Sequence, residues 1–428
     1  MQTPDGTQDY LPSDVERYLF IEQTLRRTFK LWGYEEVRTP VIELVDTLSL
    51  GVSPEFIDDM FKFQDRNGKI LALRAEMTTP IARVATTKMS SKPKPLRLFY
   101  VCNVFRFSHS YFENFREFHQ AGAELIGCGR PEADGEIISL LLSLTKEIGL
   151  SNVRIDVGHI GLLNEIFKAM KLEEPEVEIF QKILRARSNE KILRFTSNFE
   201  AACEVKDLLL KFLGCKKLKD LQSIRSELKS TKIQKILSDL QDFSDVLQDY
   251  GVERDIFFDF SLARGIGYYT GIVFEASIPS IGVPIGGGGR YDNLLEKFNG
   301  VKLPATGFAI EVEKCQKALN KKLEVREKRD LRVLVKAKSR GAGVEVSKLL
   351  RQRNIPCLLN FGEPKSEGVV EYAEQHEVSH IIFANFSFEE PVEIYDLERG
   401  STEKLKLQEF IRKLEEDYEK ENSCCSAE

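Results

Sequence analysis

Apolar residues recur at helical spacing between Ser13 and Leu31: Val15, Leu19, Phe20, Ile21, Leu25, Phe29 and Leu31. This predicts an amphipathic helix, with Ser13 or Asp14 placed to cap it and Gly33 to stop it. YEEVRTPVIEL follows as a short extended segment interrupted by Pro40. A proline cannot donate to a central ladder, so it marks an edge, a bulge or a strand break. Asn67-Gly68, between FKFQ and ILALR, is a hairpin signal. Thr78, Thr79 and Pro80 predict a capped helix start with a first-turn proline. PLRLFYVCNVFRF and FREFHQAGAELIG are apolar and β-rich, and the polar loop from Ser108 to Asn114 joins them, which predicts an antiparallel pair. The pattern is one of antiparallel strands mixed with helices, not a βαβ repeat.

From about Ile160 to Asp249 Leu and Lys dominate and β-branched residues thin out. AACEVKDLLLKFLG and SIRSELKSTKIQKILSDLQDF read as amphipathic helices, so a helical insertion is expected at about 160–250. Strand character returns in DIFFDFSLARGIGYYTGIVFEA, and GFAIEVEKCQKAL reads as a strand entering a helix. From about Asp330, LRVLVKA, GVEVSKLLRQRN, IPCLLNFG, SEGVVEYAEQHEV and HIIFAN alternate as β-α-β-α-β, predicting a small parallel-sheet domain. KKLEVREKRD is the expected linker. The fold class expected is α+β: an antiparallel sheet core with helices and a helical insertion (1–325), then a small α/β C-terminal domain (330–428). No internal repeat is evident.

Of the 428 residues, 42% are hydrophobic and 30% charged, which excludes a mainly disordered chain, a fibre or a membrane bundle. No apolar run approaches the roughly 18 residues of a membrane helix. MQTPDGTQDYLPSD is acidic and turn-rich, so neither a signal nor a transit peptide is expected, and the expected location is the cytoplasm. With 61 Lys and Arg against 67 Asp and Glu the net charge is −6, which weighs against nucleic-acid binding. The eight cysteines (Cys102, Cys128, Cys203, Cys215, Cys315, Cys357, Cys424 and Cys425) form no CxxC pair. They fit free thiols in a reducing compartment, and no metal site is expected. Cys424 and Cys425 fall in ENSCCSAE, which reads as a frayed polar terminus.

Four groups of residues are candidates for chemistry. Gly286 to Gly289, followed by Arg290, form either a tight strand turn or a loop able to cradle a ligand. The run matches neither a P-loop nor a dinucleotide fingerprint. Gln120 and Glu124 are four apart on one predicted strand and face the same side. With Arg106 on the neighbouring strand, they suit an amino-acid zwitterion or phosphate, or equally a structural ion pair. Arg264, Tyr268 and Tyr269 in LARGIGYYTG offer ligand recognition or plain packing. His109 and His119, and the pair His376 and His380, show no ligand spacing; the latter two read as surface residues.

Taken together these segments resemble the histidyl-tRNA synthetase catalytic core, a class II synthetase fold, over the first ~320 residues. PDGTQDYLP opens the chain, and GYEEVRTPVIEL resembles the first class II motif, which lies at the family's dimer interface. LRAEMTTPIAR matches the segment that carries a histidine-binding acid and threonine. LFYVCNVFRF and FREFHQAGAELIG resemble the second motif. LARGIGYYTG and GGGGRYDNL resemble the histidine-specific motifs, and ATGFAIEVEK stands at the third. The C-terminal β-α-β-α-β domain resembles the anticodon-binding module. The resemblance implies that Glu76, Thr78, Arg106, Gln120, Glu124, Arg264, Tyr268 and Tyr269 bind histidine.

Departures fall on the ATP side. Lys314 stands where the family has an adenine-stacking arginine, a point charge without a planar fork. Glu311 replaces a glycine, and a carboxylate there opposes a triphosphate. Ser108 replaces an acidic residue, the loop from Ser108 to Asn114 has no Lys or Arg, and Gly267 stands in place of an aspartate. Met77, the run Thr79 to Arg83, FDFSL and PATGFA look more like a paralogous family, the regulatory subunits of ATP phosphoribosyltransferase. That resemblance implies a non-catalytic subunit without cofactor or metal. Its implied partners are a short-form catalytic subunit in a hetero-octamer, a second copy in a class II-type dimer, and histidine as feedback effector. The alternatives are an active histidyl-tRNA synthetase and, more remotely, a module that senses uncharged tRNA.

Overall fold

The spine of the larger unit is the strand pair Leu96–Phe105 and Glu117–Ile126, joined antiparallel from Leu96 opposite Ile126 to Phe105 opposite Glu117. It is seen in a computed structural model that describes residues 2–107, 115–185, 189–198, 203–223, 230–262, 267–319, 333–360, 366–376, 378–385 and 391–424. The loop from Ser108 to Asn114, with His109, lies outside the described residues, as do Arg264 and the expected linker. The pair belongs to an eight-stranded sheet. Its spatial order is 35–36, 96–105, 117–126, 305–311, 284–290, 272–277, 154–159 and 256–258. Only the outermost pairings are parallel; the others are antiparallel. Pro40 separates the two-residue edge strand Glu35–Glu36 from Ile42–Leu44, as its missing N–H requires.

One face of this sheet carries helices. Pro12–Leu31 and Pro131–Glu147 pack together, and Phe29 stacks on Phe99 with centroids 4.7 Å apart. The first helix is capped at Leu11, two residues before Ser13. Pro12 fills the first helical position, and Asp14 acts from inside the turn by accepting the Leu11 N–H at 3.2 Å. The opposite face holds the helix Thr78–Thr86 and a three-stranded sheet. In that small sheet Lys62–Gln64 and Ile70–Leu73 form the expected hairpin, with Gly68 at φ +81°. Buried Arg74 ties it to the spine by donating to the carbonyls of Asn103 (2.7 Å) and Thr39 (2.8 Å).

The helical segment comprises Ile160–Ala169, Glu174–Arg185, Asn189–Asn198, Cys203–Gly214, Leu218–Ser223 and Thr231–Asp249. Phe167, Phe180, Phe212 and Phe243 on these helices are buried; the Phe167 and Phe180 rings lie 5.5 Å apart, and Phe212 is 5.3 Å from Phe260. The chain divides into two compact units, Met1–Lys322 and Leu323–Glu428.

The second unit has parallel strands Val333–Ala337, Cys357–Leu359 and His380–Ala384 with helices between them, as the alternation predicts. It continues differently. An antiparallel pair, Val392–Asp396 and Ser401–Leu405, extends the sheet, so the sheet is mixed, not wholly parallel. The last strand, STEKL, is almost wholly exposed, and without an apolar alternation it leaves no strand signal. The helix Leu407–Cys424 follows and sends Leu407, Phe410, Ile411 and Leu414 into the core. Cys424 is the last residue of that helix, and Cys425 lies outside the described residues. Of the histidines there, His376 is exposed, whereas His380 is half-buried against the Phe410 ring, so only His376 is the surface residue expected of both.

Candidate functional site

Alternation along Glu117–Ile126 sends Phe118, Gln120, Gly122 and Glu124 to the face opposite the long helices. Across the ladder, Glu124 faces Gly307, Gly122 faces Ala309 and Gln120 faces Glu311. This face of the sheet therefore carries small residues between charged side chains, and it is the candidate ligand cleft. The floor has to be small: a Cβ on Gly307 would lie 1.8 Å from Glu124 Oε2. The glycine run is part of the same construction. Gly286 to Arg290 lie within the strand Pro284–Arg290, so the run is neither a turn nor a phosphate loop. A Cβ on Gly288 would come within 1.9 Å of the Gly307 carbonyl oxygen. Arg290 points away from the cleft. It donates to Asp134 Oδ2 (2.9 Å) and to the carbonyls of Cys128 and Arg130 (both 3.1 Å), which clamps the strand to the helix Pro131–Glu147.

Two buried carboxylates form one end. Glu76 accepts the N–H groups of Thr78 (2.6 Å) and Thr79 (2.9 Å) at the start of the helix Thr78–Thr86. The Thr78 hydroxyl donates to Glu124 Oε1 at 2.8 Å, so one threonine touches both acids. Tyr291 donates to the other oxygen of Glu124. Glu124 is 1% exposed. Burial pushes its carboxyl up to about 8, opposed by the bonds from Tyr291 and Thr78 and reinforced by the charge of Glu76. Burial also raises Glu76, against the bonds from Thr79 and Thr78. Two carboxyls held this way favour a cationic guest, which stabilises the ionised forms that burial disfavours.

Tyrosines wall this end. Tyr268 is buried, with its ring 4.9 Å from Tyr269 and 5.5 Å from Tyr291. Tyr291 is the site residue that reading the sequence overlooked. Its signal was its place directly after the glycine strand, within GGGGRYDNL.

The other end is cationic and amphipathic. The Arg106 guanidinium lies over Phe118 (5.2 Å) and Phe56 (5.5 Å). It is 3.9 Å from Glu311 Oε1, so it stands beside Glu311 and not beside Glu124 as its pairing in the sequence suggested. Lys314 meets Glu311 Oε2 at 3.0 Å. Gln120 is 8% exposed, and its Oε1 has no hydrogen-bond partner among the described residues. A buried carbonyl in that condition calls for a donor. Gln120, Glu124, Glu76, Thr78, Tyr268, Tyr269 and Arg106 thus share the cleft face.

His119 faces the other side and is structural. Its N–H (2.9 Å) and ring Nδ1 (2.8 Å) meet Glu313 Oε1, which also accepts the Tyr10 hydroxyl at 3.0 Å. Glu313 therefore pins the N-terminal segment to the strand Glu117–Ile126 behind the cleft.

An antiparallel sheet with helices on one face and an acid-ended cleft on the other defines a class II synthetase-type core. The comparisons agree. The histidyl-tRNA synthetase family model matches residues 6–315. An ATP phosphoribosyltransferase regulatory subunit of Halothermothrix orenii is 34% identical over 95% of this chain and 97% of its own. A histidine–tRNA ligase of Sulfolobus acidocaldarius is also 34% identical, over 95% of this chain and 96% of its own. A Bacillus halodurans structure, described as an ATP phosphoribosyltransferase regulatory subunit/histidyl-tRNA synthetase, superposes with a TM-score of 0.78 at 28% identity. It covers 90% of this chain and 98% of that one. The chain belongs to the histidyl-tRNA synthetase family. Within it, relatives named ATP phosphoribosyltransferase regulatory subunit match most of the chain at 31–36% identity, and the chain belongs with them.

Proposed function

We propose that this chain is the non-catalytic, histidine-sensing subunit of a short-form ATP phosphoribosyltransferase in the cytoplasm. Its catalytic partner joins ATP to phosphoribosyl pyrophosphate in the first step of histidine biosynthesis. The observation that carries the reading is the contrast between the two ends of the cleft. Paired acids suited to a cation stand at one end, and Glu311 stands between the cations at the other. Histidine places its ammonium or imidazole at Glu76 and Glu124 and its carboxylate at Arg106 or Arg264. Thr78, Gln120, Tyr268 and Tyr269 complete the contact, and Tyr291 holds Glu124. Feedback follows when histidine binds one state of the assembly more tightly than another.

The assembly is a hetero-octamer in which copies of this chain pair as class II dimers. Residues 1–325 form the sensing core, and 330–428 an anticodon-binding-like unit. Calorimetric titration with histidine, for the chain alone and mixed with its catalytic partner, tests the reading. Heat of binding that disappears in Glu76→Gln and Glu124→Gln is expected; no binding in either preparation would remove the sensor.

A second reading, an active histidyl-tRNA synthetase, draws support from the Sulfolobus relative. It requires histidine-dependent ATP–pyrophosphate exchange, which the sensor reading predicts to be at background.

A further inference from the structure

Glu311 ends the strand Ala305–Glu311, opposite Gln120, on the face where the preceding cleft residues are Gly307 and Ala309. It is the first side chain of that strand long enough to reach across the cleft. Its two oxygens meet different cations: Oε2 is 3.0 Å from Lys314, in the first turn of the following helix, and Oε1 is 3.9 Å from Arg106, one residue past the strand Leu96–Phe105. Side-chain exposure of the three is 22%, 13% and 25% for Glu311, Lys314 and Arg106, so salt screens the arrangement only in part.

We propose that Glu311 excludes phosphate-bearing ligands from the cleft by placing its own carboxylate where such a group would meet Arg106 and Lys314. The proposal deepens the sensor reading and rests on it only for the identity of the ligand at the opposite end. A guanidinium and an ammonium converging on one point form an anion site. Here the chain fills that site itself. An incoming phosphate must either separate Glu311 from both cations or lie against its negative charge, and each route opposes binding. An amino acid is excluded far less, since its single carboxylate needs only Arg106 and its cation lies at the acid end. Glu311 is thus a specificity-determining residue: it lets the cleft read an amino acid among the many phosphorylated metabolites of a cell.

The test titrates metal-free inorganic pyrophosphate into the full-length chain, into Glu311→Gly and into Glu311→Gln, with a parallel histidine titration. Both variants should bind pyrophosphate at least about ten-fold more tightly than the unaltered chain. Adding Lys314→Ala to Glu311→Gln should remove the gain. Glutamine keeps the shape of the side chain, so it decides the matter if glycine loosens the strand end. Variants that keep the circular dichroism and melting temperature of the parent but bind pyrophosphate no better would overturn the proposal. Absence of histidine binding to the unaltered chain would instead strike the sensor reading and leave the pyrophosphate comparison to stand by itself.

Discussion

Glu124 carries the sharpest conflict in the cleft, a carboxyl 1% exposed that among the described residues meets two neutral donors, Thr78 and Tyr291. Its folded pKa of about 8 lies above the value of roughly 4.3 for an unfolded glutamate. Between those values the folded chain binds more protons than the unfolded chain, so this group makes stability fall as pH rises from about 5 to about 8. Glu124→Gln removes the fall. By denaturant midpoints, the variant should gain on the parent as pH rises from about 5, by up to about 5 kcal/mol near pH 8.5. Glu76 and the buried Tyr100, Tyr268 and Tyr291 face the same site and remain in both proteins; losing the Glu124 charge also eases the ionisation of Glu76, which acts in the same direction. A difference that does not change with pH would contradict this account. Tyr291→Phe takes one donor from Glu124, raises its pKa further and extends the falling limb to higher pH, at a cost of about 1–2 kcal/mol. Gly307→Ala puts a methyl group 1.8 Å from Glu124 Oε2. It should cost about 1–3 kcal/mol of stability and abolish histidine binding.

At the scale of elements, the sheet holds the cleft through ties that cross long stretches of chain. Arg290 and Asp134 are both buried, and their ion pair fixes the glycine strand to a helix. Arg290→Ala leaves an uncompensated buried carboxylate and should cost about 3–5 kcal/mol, read as a large drop in melting temperature. Elements with a local signal were legible in the sequence. The strand pair Leu96–Phe105 and Glu117–Ile126, the Asn67-Gly68 hairpin and the first helix each follow from spacing or turn chemistry. Period two also placed Gln120 and Glu124 on one face, as the ladder has them.

What was not legible depends on contacts far apart in the chain. Glu313 meets His119 across 194 positions and Tyr10 across 303, and nothing local to either residue announces this. The glycine run reads as a tight turn or a loop because glycine is rare within strands; only the approach of the neighbouring strand shows why it is needed. The exposed STEKL strand has no buried face to leave a pattern.

At the scale of the whole molecule, the two ends of one cleft carry the functional argument. On the proposed reading the paired acids take the cationic group of an amino acid, and Glu311 between Arg106 and Lys314 disfavours a nucleotide. On that reading the chain acts by binding, and its effect appears in a partner's activity. Regulation requires the differential affinity of histidine for assembly states, since equal affinity shifts nothing.

The most direct test mixes the purified chain with a short-form ATP phosphoribosyltransferase catalytic subunit and follows phosphoribosyl-ATP formation with and without histidine. The account predicts activity that rises when this chain is added, falls with histidine, and loses its histidine sensitivity in Glu124→Gln. Catalysis indifferent to the chain, together with histidine-dependent ATP–pyrophosphate exchange by the chain alone, would contradict it.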